Sequence, residues 1–203
     1  MKKVISFIAS HYRNDKIWLR RTLPSKRDYK ILLAIDDTLS MRDNGFFTLE
    51  ALTTITDALH RLEVGQVAVA AIRDRMTLLQ SFETSSNIPF LVSQFAFDFS
   101  APKSADTAIA NFVRDSNSLL DTQTGSLPFV IVLSDGRFNK ATVRRYLSEA
   151  RDKRYLYIFV VLDQVKDTIL SMKSVEKKES GIKLVPYLKD FPFEYYCIVR
   201  DVK

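Results

Sequence analysis

Asp36, Thr38 and Ser40 stand at alternate positions directly after the apolar run Ile31-Leu32-Leu33-Ala34-Ile35, and Asp135 follows the apolar run Phe129 to Leu133 through Ser134. In a doubly wound α/β sheet, ligands bind outside the carboxyl ends of the strands. If these two runs are neighbouring strands, Asp36 and Asp135 face one crevice. A carboxylate and two hydroxyls spaced in this way on a turn can converge on one small hard cation. Magnesium takes about six oxygen donors and tends to keep water; Mn2+ and Ca2+ are the alternatives. Hydroxyls carry no charge, so an ion held partly by them stays a strong electrophile for one more carboxylate from outside. Such a site docks an acidic partner. Asp37 is expected to point away from Asp36 and Thr38. The competing reading makes Asp36 and Asp135 ordinary strand-ending residues, with Thr38 and Ser40 capping the next helix.

The elements that must position these residues follow from hydrophobic period. Continuous apolar runs alternate with segments of helical period, the pattern of a parallel sheet buried between helices. The expected class is α/β, a doubly wound, mostly parallel sheet flanked by helices, Rossmann-like, with one antiparallel edge hairpin. Residues 31–35 form a buried strand. Residues 48–62 place Leu49, Leu52, Ile55, Leu59 and Leu62 on one helical face, and Gly65 stops the helix. Residues 67–72 and 77–82 read as the hairpin. After a loop over 83–106, Ile109, Phe112, Val113 and Leu120 mark a second helix, and Pro128 introduces the strand 129–133. Asn139 caps a third helix reaching Asp152, and 155–162 and 194–199 are further strands. Residues 163–193 show no sustained period and include Lys173, Lys177 and Lys178, which marks a functional or mobile insertion. Met41 is expected behind the metal loop, Cys197 inside a strand as a small buried hydrophobe, and His60 on the surface.

Composition removes several function classes. With one cysteine and two histidines in 203 residues, a disulfide framework and a Cys/His zinc site are both excluded. The five glycines are scattered too widely for a phosphate-cradling loop, so neither ATP nor NAD is expected on this chain. No apolar run approaches the roughly 18 residues of a membrane span, and an intracellular protein without a membrane partner is expected. The net charge of +6 is uneven. Residues 1–30 hold nine Lys/Arg against Asp15 and Asp28, leaving the remainder near neutral. This basic N-terminal arm, residues 1–30, is expected to pack on a domain spanning 31–203, with Trp18 as an anchor. It lacks the interleaved aromatics of a stacking platform, so no sequence-specific nucleic-acid binding is expected.

Asp36-x-Thr38-x-Ser40 with the later Asp135 resembles the metal-ion-dependent adhesion site (MIDAS) of von Willebrand factor A domains. That family draws a further threonine from a middle loop. The resemblance implies Thr107, which opens a helix as the family's threonine does, with Ser104 as the competitor. The segments Lys16-Ile17-Trp18-Leu19-Arg20-Arg21-Thr22, Ile35-Asp36-Asp37-Thr38-Leu39-Ser40-Met41 and Phe191-Pro192-Phe193 with Arg200-Asp201-Val202 narrow it, because they are similar to the C-terminal domain of the midasin family. These are giant dynein-related AAA ATPases of ribosome assembly.

That resemblance implies a binding module and not an enzyme. It would grip ubiquitin-like domains of large-subunit assembly factors through magnesium, on the pre-ribosomal particle, for removal by the AAA ring of the parent protein. It also implies a nuclear location, in nucleolus and nucleoplasm. Alternatives are a chelatase-type or adhesion-type A domain, or an aspartate-based phosphatase. The phosphatase wants a second aspartate where Thr38 stands.

Overall fold

The computed structural model describes residues 29–63, 65–83, 95–99, 105–121, 127–164, 168–178 and 181–200. Its centre is a six-stranded sheet in the order β3-β2-β1-β4-β5-β8. The strands are β1 (Tyr29–Asp36), β2 (Gly65–Ile72), β3 (Met76–Gln80), β4 (Leu127–Ser134), β5 (Leu156–Leu162) and β8 (Tyr195–Val199). β1 pairs in parallel with both β2 and β4, β4 with β5, and β5 with β8; only β3 runs antiparallel, at the edge. The expected class and edge hairpin are therefore what the structure shows.

Parallel strands covered on both faces must be apolar at every position, and β1 shows the consequence. Leu32 and Ala34 join one core cluster with Phe112, Val113 and Val143, while Leu33 and Ile35 join the other with Phe47 and Leu52. Helices α2 (Ala105–Asp121) and α3 (Lys140–Asp152) thus cover one face, and α1 (Gly45–Arg61) covers the other. Burying each such Leu or Phe contributes roughly 1.5–3 kcal/mol. Asn139 caps α3 as expected, its side-chain oxygen accepting from the backbone N–H groups of Ala141 and Thr142. The buried stripe of α1 is Phe47, Thr48, Ala51, Leu52 and Thr56, displaced from the expected one. Leu62 is exposed because the helix ends before it.

Residues 163–193, expected as a functional or mobile insertion, contain both a hairpin and residues of the core. Lys173–Lys178 (β6) and Gly181–Pro186 (β7) form an antiparallel hairpin apart from the main sheet. Its flanks are core, since Ile169, Tyr187 and Phe193 are buried, as is Val185 within β7. The Phe193 ring centroid lies 4.5 Å from that of Phe159, and the Tyr187 hydroxyl donates to the carbonyls of Gly136 and Phe138, both at 3.0 Å. Cys197 departs from its expected burial: it is exposed, because β8 is an edge strand covered on one side only. Met41 is fully buried and His60 exposed, as expected. The basic arm, apart from Tyr29 and Lys30 in β1, lies outside the described residues. No helix among the described residues is long and apolar enough to cross a membrane.

Candidate metal centre

β1 is the strand at which the order reverses, since β2 lies on one side of it and β4 on the other. The crevice of a doubly wound sheet opens at such a point. Asp36 ends β1, and Ser134 ends β4 beside it, their predecessors Ile35 and Leu133 being register partners. The Ser134 hydroxyl donates to Asp36 Oδ2 at 2.5 Å. Beyond Asp36 the chain stays extended through Thr38 (φ −81°, ψ 162°) and then winds into a 3-10 turn over Leu39–Asn44.

That extended step turns the Thr38 side chain back. Its hydroxyl donates to Asp36 Oδ1 at 2.7 Å and its N–H to the same oxygen at 3.0 Å. Thr38 stands at the cap position of the 3-10 turn but makes no capping hydrogen bond, so the capping reading fails for this residue. The Ser40 hydroxyl lies 3.0 Å from Thr38 Oγ1, and the Ser40 and Ser134 hydroxyls both lie near the Asp135 carboxylate. Asp36, Thr38 and Asp135 are buried and Ser40 is exposed, so the cluster has a buried floor and an open mouth at Ser40. Gly136 makes the turn after Asp135 possible. It sits at φ +76°, and a Cβ there would meet the Ile169 side chain at 2.8 Å.

Electrostatically the floor is acidic. Burial first, and then the neighbouring Asp135 carboxylate, push Asp36 up to about 6, against the pull of the Ser134 and Thr38 hydrogen bonds. Burial raises Asp135 too, opposed by the Arg137 N–H and charge and by the two serine hydroxyls. The outer aspartates of this sheet edge are differently placed. Asp37 accepts from Arg73 Nε at 2.7 Å, and Asp163 lies 3.7 Å from the Arg200 guanidinium. The central pair shares a bed of hydroxyls instead.

The donor set fits a hard divalent cation, which prefers oxygen ligands of this kind. Asp36, Thr38, Ser40 and Asp135 would hold it, and when bound it would supply an electrophile for an outside carboxylate. Among the described residues no group of three His, Cys, Asp or Glu side chains could hold a metal; the donors gathered here are two carboxylates and hydroxyls.

Of the expected residues, the fold brings Asp36, Thr38 and Ser40 into one hydrogen-bonded cluster with Asp135 beside it. Thr107 lies on the first turn of α2, at the same end of the sheet, because α2 runs antiparallel to the strands with Asn111 donating to the Asp74 carbonyl at 3.0 Å. Ser104 lies outside the described residues. Ser134 carries no signal in the sequence beyond its place between an apolar strand and Asp135, and Asp37 none beyond pointing away from Asp36.

This sheet order, with an Asp-x-Thr-x-Ser turn at its point of reversal, defines a domain of the von Willebrand factor A fold. Solved structures agree on that fold. Proximal thread matrix protein 1 from the mussel byssus, a structure with a zinc-occupied MIDAS motif, superposes with a TM-score of 0.55 at 16% identity, covering 68% of this chain and 36% of that one. A von Willebrand factor type A structure from Catenulispora acidiphila gives 0.50 at 13% identity, covering 68% and 34%. No family model matches the chain.

Within that fold the chain is midasin-like along its whole length. It is 37% identical over 217 residues to midasin of Dictyostelium discoideum and 34% identical over 213 residues to midasin of Giardia intestinalis. All of this chain is covered in both, and it spans about 4% of the length of either relative.

Proposed function

We propose that this domain is a divalent-metal-dependent grip for acidic protein partners, with magnesium as its ion, and that the partner's carboxylate completes the coordination. The observation that carries the reading is the convergence of Asp36, Thr38, Ser40 and Asp135 at the point of strand-order reversal, with Ser134 bridging the two strands. Thr107 completes the protein's ligand set from the first turn of α2. Two buried carboxylates that repel each other are a liability alone and an asset around a cation, since their mutual repulsion is replaced by attraction to the ion.

Similarity to midasin supports the finer reading. The partner is a ubiquitin-like domain of a large-subunit ribosome assembly factor, met on the pre-ribosomal particle in the nucleolus and nucleoplasm. The AAA ring of the longer parent protein then removes the gripped factor. The domain itself binds and does not catalyse.

The test is capture of isolated ubiquitin-like domains by this chain in Mg2+ and in EDTA, beside an Asp36→Ala variant checked by circular dichroism. Capture should require the ion and fail in the folded variant. Capture that persists in EDTA, or full-strength binding by Asp36→Ala, would show that the ion is not the grip.

A further inference from the structure

Asp37 stands next to Asp36 and is completely buried, yet it takes no part in the hydroxyl cluster. Its carboxylate faces the other way and is fully engaged. Oδ2 accepts from Arg73 Nε at 2.7 Å, while Oδ1 accepts from the backbone N–H groups of Asp98 and Phe99 at 2.9 and 3.1 Å. The backbone of Asp37 is fixed as well, its N–H donating to the Ile72 carbonyl at 3.0 Å. One side chain thus ties together the end of β1, the turn after β2 and the segment 95–99.

Segment 95–99 is further seated by its aromatic rings. Phe97 and Phe99 stack with centroids 4.9 Å apart, Phe95 meets Phe97 edge-on, and all three pack on the core cluster beneath α1. The Phe99 ring rests on Gly45, where a Cβ would come within 2.8 Å of its Cζ.

We infer that Asp37 is a positioning residue: with Arg73 it forms a latch that ties segment 95–99 and the turn after β2 to the loop of Asp36, Thr38 and Ser40, and so fixes the approach of those side chains to the ion. The inference rests on the metal reading above. A carboxylate is required because it accepts from three donors through two oxygens; an asparagine would turn an N–H towards the Arg73 guanidinium. Arg73 keeps that buried charge paired, and removing one partner of such a pair leaves the other uncompensated.

The experiment compares Mn2+ affinity, by titration calorimetry, with hydrogen exchange at the Asp98 and Phe99 amides. Arg73→Met should deprotect those two amides while β4 stays protected, and should weaken Mn2+ binding by roughly tenfold to a hundredfold, the usual effect of losing a group that orients metal ligands. Arg73→Lys should restore both. Gly45→Ala, which touches no charge and displaces only the Phe99 ring, should move both readouts in the same direction, and it decides the matter should Arg73→Met unfold. Unchanged Mn2+ affinity in the folded variants, with the wild type binding, overturns the latch. A wild type that binds no Mn2+ overturns the metal reading and removes what the latch would serve.

Discussion

The Ser134 hydroxyl donates to Asp36 Oδ2 at 2.5 Å across the boundary between β4 and β1, and the same oxygen of Ser134 accepts the Gly136 N–H at 3.2 Å. One hydroxyl therefore couples the end of β1 at Asp36 to the turn that presents Asp135. Ser134→Ala removes both bonds and leaves a buried carboxylate one donor short. Hydrogen bonds to charged groups contribute about 1.5–3 kcal/mol, so Mn2+ affinity should fall by roughly tenfold or more. Calorimetric titration checks this, and an unchanged affinity would show that Ser134 is only packing.

Thr38 should tolerate serine and not valine. Its hydroxyl bridges Asp36 and Ser40, whereas its methyl group adds only local packing. Thr38→Val keeps the shape and deletes the oxygen, so metal binding should be lost with the fold intact; Thr38→Ser should bind nearly as the parent does. Equal affinity for all three proteins would remove Thr38 from the ligand set.

Acidity offers a separate check. Asp36 is raised from 3.8 to about 6 in the fold, by burial first and by Asp135 second. The folded metal-free protein therefore binds more protons than the unfolded chain in that window. The stability tied to this group is complete below about 4 and is lost as pH rises through about 6. Metal-stripped protein should gain up to about 3 kcal/mol from this group between pH 7 and pH 4, and saturating Mg2+ at pH 7 should offset the loss. Thermal melts of the parent and of Asp36→Asn measure it: the variant should lose this pH difference, and a variant that kept it in full would assign the effect elsewhere.

The hairpin of β6 and β7 and its flanks should behave differently. Phe193 is buried among Phe138, Tyr157 and Phe159, so Phe193→Ala should cost about 3–5 kcal/mol, read from urea unfolding. Tyr187→Phe removes the hydroxyl that bonds Gly136 and Phe138, and should loosen the turn after Asp135 enough to weaken Mn2+ binding as well as lowering stability. Replacing the hairpin between Ser174 and Val185 with a short turn should leave the fold standing. Loss of less than about 1 kcal/mol in Phe193→Ala would show that the segment contributes little to the core.

Much of the architecture was legible in the amino-acid order because burial on two faces demands unbroken apolar runs. Ile31 to Ile35, Phe129 to Leu133 and Tyr155 to Leu162 announced three central strands, and Asn139 announced its helix through a local capping bond. Asp36, Thr38, Ser40 and Asp135 could be named from their places at the ends of those runs, since the point where a buried strand emerges is a property of local sequence.

What local sequence could not carry was anything decided by contacts between distant segments. Whether β4 lies beside β1 determines whether Ser134 can reach Asp36, 98 positions away. The burial of Ile169, Tyr187 and Phe193 within an aperiodic stretch depends on an aromatic cluster contributed by β5 and the turn after β4. Asp37 could be expected to point away from Asp36, but its value lies in Arg73 and in two backbone N–H groups more than sixty positions further on. Period and spacing report which face a residue presents; only the closed fold determines what meets it there, because a buried carboxylate is satisfied by whichever donors the tertiary packing brings within about 3 Å.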